Sequence, residues 1–147
     1  MRAKSRKIIK PRAKSGELKT IKFRFENLDI WQRSVEVAGK LFRLADELEK
    51  KKLYRFADQL RGAGLSMPNN IAEGSGSTSN KEFIQFLNIA RRSTFENASM
   101  IMIFSKDKLI SEEMKNDLIQ NLDELCRMIT AFSQRLNGKN IGSEKKE

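Results

Sequence analysis

Met114, Leu118, Leu122, Leu125, Ile129, Phe132 and Leu136 recur at intervals of 4, 4, 3, 4, 3 and 4 residues. A strand cannot gather that spacing on one face, because its side chains alternate with a period of two. On an α-helix the same spacing draws one apolar seam close to a heptad repeat. Such a seam is stable in water only when other helices cover it, and the rest of the chain must supply them.

Three further helices are predicted. The first runs from about residue 27 to about residue 50, with Leu28, Trp31, Val35, Ala38, Phe42, Ala45 and Leu48 as its stripe and Asn27 or Asp29 as its cap. Lys50, Lys51 and Lys52 suit the negative end of its dipole. The second runs from about residue 53 to about residue 73 on Phe56, Leu60, Ala63, Met67 and Ile71. Pro68 lies inside it and predicts a kink, with Gly62 and Gly64 loosening the turn before. Residues 74–79, GSGSTS, read as a loop, and Ser79 with Glu82 reads as a capping box. The third helix follows from Asn80 to about Lys106, with Phe83, Phe86, Leu87, Ala90, Ile101 and Phe104 inward and Thr94 and Asn97 interrupting the stripe. Ser111 caps the fourth, and Asn137 with Gly138 marks its expected end. Helices of roughly 20–26 residues span about 30–40 Å. Matched lengths and short connections predict an all-α fold, an antiparallel up-down-up-down four-helix bundle.

The charge divides sharply along the chain. Residues 1–24 hold ten Lys and Arg against Glu17 alone, a net +9, while residues 25–137 hold sixteen basic and sixteen acidic residues. The domain reading is therefore a basic, disordered arm at 1–24, a neutral bundle at 25–137 and a polar tail at 138–147. Ile21, Phe23 and Phe25 alternate with Lys22 and Arg24, which suits a short extended lead into the bundle.

The sequence contains no histidine, which removes the commonest general base and most zinc sites. Cys126 stands alone, so no internal disulfide can form, and a small buried hydrophobe is its expected role. No Glu-x-x-His pair offers a bundle metal site, and the loop before the third helix lacks the Gly-Lys-Ser/Thr ending of a phosphate cradle. No enzyme activity, cofactor or metal is expected. Without an apolar run of membrane-spanning or signal-peptide length, a cytoplasmic location is the default.

Two groups of residues invite a role. Gln59, Arg61, Asn69, Asn70 and Glu73 lie on the second helix and Thr94, Glu96 and Asn97 on the third. They form either a solvated face with helix caps, or a buried polar network between the two helices. The second group is cationic: Arg2, Lys4, Arg6, Lys7, Lys10, Arg12, Lys14, Lys19, Lys22 and Arg24 in the arm, with Arg91 and Arg92 on the third helix. They suit RNA or DNA phosphates, bound with little sequence preference because no recognition helix or aromatic platform is evident. A solubilising extension fits the same composition.

Several segments also resemble a known family. They are FENLDIW at residues 25–31, QLR at 59–61, SMPNNIAEG at 66–74, and Glu82 and Phe83 with Phe86, Leu87, Ala90 and Glu96. Over about residues 23–137 the chain is similar to the 23S rRNA intervening-sequence proteins, the element at 70–74 after Pro68 being the most specific part. The resemblance implies an up-down-up-down bundle and a homopentamer. It also implies kinship with the accessory variability determinants that work beside the reverse transcriptase of diversity-generating retroelements. The functional expectation is a non-enzymatic, RNA-associated accessory subunit of a ribonucleoprotein or reverse-transcriptase complex. The alternative is an oligomeric protein–protein scaffold with no direct nucleic-acid role. The basic arm is longer than the family's short N-terminus, which favours the nucleic-acid role for this member.

Overall fold

A computed structural model describes residues 22–144, with side chains described through residue 138. A 3-10 turn, Arg24–Asn27, leads into four helices: α1 (Asp29–Lys50), α2 (Tyr54–Ser75), α3 (Asn80–Lys106) and α4 (Glu112–Glu144). No strand occurs among the described residues.

Contacts between neighbouring helices run in opposite directions. Along α1 and α4, Arg33 meets Glu124 and Lys40 meets Asp117, so one number rises as the other falls. On α2 and α3, Ala63 meets Asn97 and Ser66 meets Ser93. Across α3 and α4, Phe83 packs on Phe132, while Ser105 reaches Glu112. Leu41, Leu44, Leu48, Leu60, Met67, Ile71, Leu87, Ile101, Leu122, Leu125 and Ile129 fill the shared core.

The α4 seam lies where its spacing puts it, buried from Leu118 to Ile129, with Phe132 and Leu136 half-buried beyond. Met114, at the outer end, is half-exposed. In α1, Ala38, Ala45 and Leu48 of the expected stripe are buried, but the seam is wider and turned toward Ile30, Ser34, Val37, Leu41 and Leu44, and Val35 faces solvent. Ser34 hides this seam in the sequence. Its hydroxyl donates to the Trp31 carbonyl at 2.7 Å, so a polar residue sits in the core with its hydrogen bond made. In α2, Ala57 takes the buried place expected of Phe56, whose half-exposed ring instead leans on Phe104, centroids 5.5 Å apart.

The helix ends show three departures. Leu28, not Asn27 or Asp29, is the N-cap of α1, and no side chain caps it. The 3-10 turn carries the backbone straight in, Leu28 N–H bonding to the Phe25 carbonyl. That turn also replaces the expected extended lead around Phe25. Second, α1 and α3 end without glycine. Lys52 (φ 64°) and Lys108 (φ 59°) take the left-handed conformation. Leu53 N–H then reaches the Leu48 carbonyl and Leu109 N–H the Phe104 carbonyl, while Lys52 and Lys108 bond to Glu49 and Ser105. Both ends are Schellman motifs. Third, α4 continues through Gly138 to Glu144; one glycine costs a helix only about 1 kcal/mol. Ser79 and Ser111 cap α3 and α4 as expected, accepting from the N–H groups of Glu82 and Met114.

Candidate nucleic-acid interface

α2 and α3 pack tightly at the far end of α2. A Cβ on Gly74 would lie 2.8 Å from both Phe83 Cδ1 and Phe86 Cβ, so only glycine fits there. Gly64 is nearly as tight, at 3.2 Å from the Phe42 ring. Between these glycines α2 runs through the buried Pro68, which supplies no N–H to the Gly64 carbonyl.

Polar side chains cluster beside this proline. Asn97, fully buried on α3, donates from Nδ2 to the Ala63 carbonyl at 2.9 Å and to the Ser93 carbonyl at 2.8 Å. Ser66 and Ser93 hydroxyls lie 2.8 Å apart. Ser93 donates its one proton to the Ile89 carbonyl. Ser66 must therefore donate to Ser93, and Asn70 donates in turn to the Ser66 hydroxyl at 3.0 Å and carbonyl at 2.7 Å. The chain of donors is ordered from Asn70 to Ile89.

A polar network between α2 and α3 thus exists, and Asn70 and Asn97 are its members from the expected group, while Gln59, Arg61, Glu73 and Glu96 are not. Gln59, Glu73 and Glu96 face solvent. Arg61 turns the other way, bonding Asp46 at 2.9 Å and Glu49 at 3.2 Å on α1 and Asp58 on its own helix. Hydrogen bonds to Asp46 and then Glu49 raise the Arg61 pKa above its ordinary value. Long charged side chains keep their heads in water, whereas short hydroxyls and amides can be satisfied inside. Ser66 and Ser93 were not among the residues expected in such a network; the available signal was Asn97 at a seam position, which requires partners on the facing helix.

The cationic candidates divide. Arg2, Lys4, Arg6, Lys7, Lys10, Arg12, Lys14 and Lys19 lie outside the described residues. Lys22 is exposed, and Arg24 donates from Nη1 to the Ser75 carbonyl at the end of α2, 3.1 Å away. That bond places a cation at the negative pole of the helix and fixes where the arm leaves the bundle. Arg92 is exposed. Arg91 is half-buried with its guanidinium over the Phe95 ring, 5.1 Å from the centroid. Among the described residues neither has a carboxylate partner.

An apolar groove of about 520 Å³ separates α3 from α4 on the outer face. Phe95, Met102, Ile103 and Ile119 line it, and Phe95 is 59% exposed. Cys126 belongs to this groove and is half-buried, rather than a core residue. Among the described residues no three potential metal ligands gather, and no helix is long and apolar enough to cross a membrane.

Comparison with known proteins reaches the same bundle. The pattern defining the 23S rRNA-intervening sequence proteins matches residues 26–131. A solved structure from Bacteroides thetaiotaomicron, a protein of unknown function from the S23 ribosomal protein family, superposes with a TM-score of 0.68 at 22% identity. The match covers 71% of this chain and 97% of that one. No curated protein matches the sequence.

Proposed function

Because this chain belongs to the 23S rRNA-intervening sequence protein family, we propose that it is a non-enzymatic nucleic-acid-associated bundle, with RNA its principal partner. In this reading it is an accessory subunit of a ribonucleoprotein or reverse-transcriptase complex. One observation carries the reading: the charge split, net +9 over residues 1–24 against a neutral bundle. Phosphates attract cations by releasing condensed counterions, a force that needs no folded recognition surface. Arg24 anchors the arm at the end of α2, and Arg91 and Arg92 extend the basic surface along α3.

The bundle acts as a homopentamer in this account, so five arms act together and avidity multiplies weak contacts. The α3–α4 groove supports self-association, since Phe95, Met102 and Ile103 expose an apolar strip that water penalises. The same strip favours the alternative, a protein–protein scaffold with no direct nucleic-acid role. Deleting residues 1–21 separates the two, because it leaves the 3-10 turn and all four helices in place. The deletion should abolish RNA binding at moderate salt; unchanged binding overturns the nucleic-acid role. Native mass spectrometry of Met102→Lys tests the assembly: the expected pentamer of the parent chain should dissociate.

A further inference from the structure

We infer that the end of the bundle opposite the arm, where the α1–α2 and α3–α4 loops meet, is a second phosphate-binding surface for nucleic acid, built around Lys52 and Lys108. The inference deepens the proposed nucleic-acid role and rests on it.

Residues 25–137 are neutral in sum, but their charge is not spread evenly. Residues 50–55 and 105–110 together hold six cations, Lys50, Lys51, Lys52, Arg55, Lys106 and Lys108, against Asp107 alone. The two loops are neighbours, for Lys51 Nζ donates to the Leu109 carbonyl 3.1 Å away. Lys50 is paired with Glu47. Lys52, Arg55, Lys106 and Lys108 are exposed, and among the described residues none of them has a carboxylate partner. Leu53, Leu109 and Ile110 turn inward on the core, so what the loops offer outward is charge.

Helix dipoles do not account for that charge. The C-termini of α1 and α3 favour cations at this end, but the N-termini of α2 and α4 lie at the same end and oppose them. The backbone supplies an independent sign. Lys52 (φ 64°) and Lys108 (φ 59°) both occupy the left-handed position that closes a Schellman motif. Glycine holds that position without strain, and a side chain there lowers stability. The same strain is present at both loops in the same residue type, so the side chain serves something beyond folding.

The occupant must bring several negative charges at once, as a nucleic-acid backbone does, and counterion release then drives the contact. Such a surface reads no base, so RNA and DNA of any sequence can bind. Arg24 roots the arm at the other end of α2. A helix of 22 residues is about 33 Å long, so a strand held at both places lies along the bundle.

Fluorescence anisotropy of the full chain tests this with a labelled single strand and a labelled DNA duplex, each about 20 nucleotides long and so able to span the bundle. Lys52→Gly with Lys108→Gly removes two contacts. The slope of log K against log salt should become shallower by about 1.4 on the single strand and about 1.8 on the duplex. At about 0.1 M salt that is a loss of roughly 25-fold and 60-fold in affinity. The same variant should melt higher than the parent, because glycine relieves both positions, so lost binding is not lost folding. Lys52→Arg with Lys108→Arg keeps both charges and should bind like the parent. Arg43→Gln with Arg127→Gln removes two exposed charges elsewhere on the bundle and should leave the slope unchanged. A more stable glycine variant with the shallower slope supports the surface. Parent-like slopes for that variant overturn it and leave the arm's role standing. An equal fall in the Arg43 and Arg127 variant also overturns it, since binding then follows net charge alone. Vesicles of phosphatidylcholine with phosphatidylserine present the other phosphate-bearing surface. Weakened vesicle binding with unchanged nucleic-acid binding overturns the proposal and assigns this end to a membrane. Failure of the parent chain to bind either probe at low salt overturns the nucleic-acid role beneath it.

Discussion

The close approach of α2 to α3 gives an exacting prediction, because two glycines of the same helix should respond oppositely to one methyl group. In Gly74→Ala the new Cβ falls 2.8 Å from Phe83 Cδ1 and from Phe86 Cβ. Carbon pairs rest at about 3.5–4.0 Å, so roughly 0.7 Å or more must be found. Phe86 Cβ is fixed to the α3 backbone and cannot swing away. The Phe83 ring is buried and packed on Phe132. The helix ends must therefore separate, an overpacking penalty of about 1–3 kcal/mol. Alanine's better helix propensity returns at most about 1 kcal/mol, and less so near a helix end. The net loss should be about 1–2 kcal/mol. Gly62 is the control, since a Cβ there meets nothing within 4 Å. Gly62→Ala should gain about 0.8–1 kcal/mol from propensity alone. Urea unfolding followed by far-UV circular dichroism, at one protein concentration, measures both. Their melting temperatures should differ by roughly 5–10 °C, at about 2–4 °C per kcal/mol for a chain of this size. A Gly74→Ala protein as stable as Gly62→Ala would refute the close-packing argument.

The other predictions concern single features. Lys52→Gly and Lys108→Gly should each stabilise by about 0.5–1 kcal/mol, because both lysines hold a left-handed conformation that glycine adopts without strain; urea midpoints check this, and a loss of stability would contradict the Schellman geometry. Asn97→Ala should cost about 2 kcal/mol or more, since it opens a cavity and removes the donor to the Ala63 carbonyl beside Pro68. Glu112 has its pKa lowered by hydrogen bonds from Lys115 and then Ser105, so its contribution is present above the ordinary carboxylate value of 4.5 and fades as pH falls through and below it. Glu112→Gln should therefore be slightly less stable than the parent at neutral pH and converge with it in acid, as melts across pH 3 to 7 (about the carboxylate range) would reveal.

Legibility followed the physics of each element. The α4 seam is readable because its apolar residues keep a heptad register without a polar gap. The α1 seam is readable only in part, at Ala38, Ala45 and Leu48, because Ser34 satisfies its hydroxyl within its own turn and can replace an apolar residue unannounced. Ser79 and Ser111 announce their helices, whereas Lys52 and Lys108 end theirs in a conformation normally given to glycine. The α2–α3 polar network was half visible. Asn97 interrupts an apolar stripe, but its connection through Ser93 to Ser66 and Asn70 depends on the register of two helices, which no single segment encodes. The stacking of Phe23 on Phe25 arises from the 3-10 turn, where the alternating pattern had suggested an extended strand.

The most direct test of the central claim is the salt dependence of RNA binding by the full chain and by the chain lacking residues 1–21. With about six phosphate contacts, log K for the full chain should fall with log salt at a slope near −4 on a single strand and near −5 on a duplex of B-DNA. The shortened chain, whose net charge falls from +10 to +3, should bind weakly, with a much shallower slope. Equal slopes and equal affinities for the two chains would contradict the account, and would assign any binding to the bundle itself.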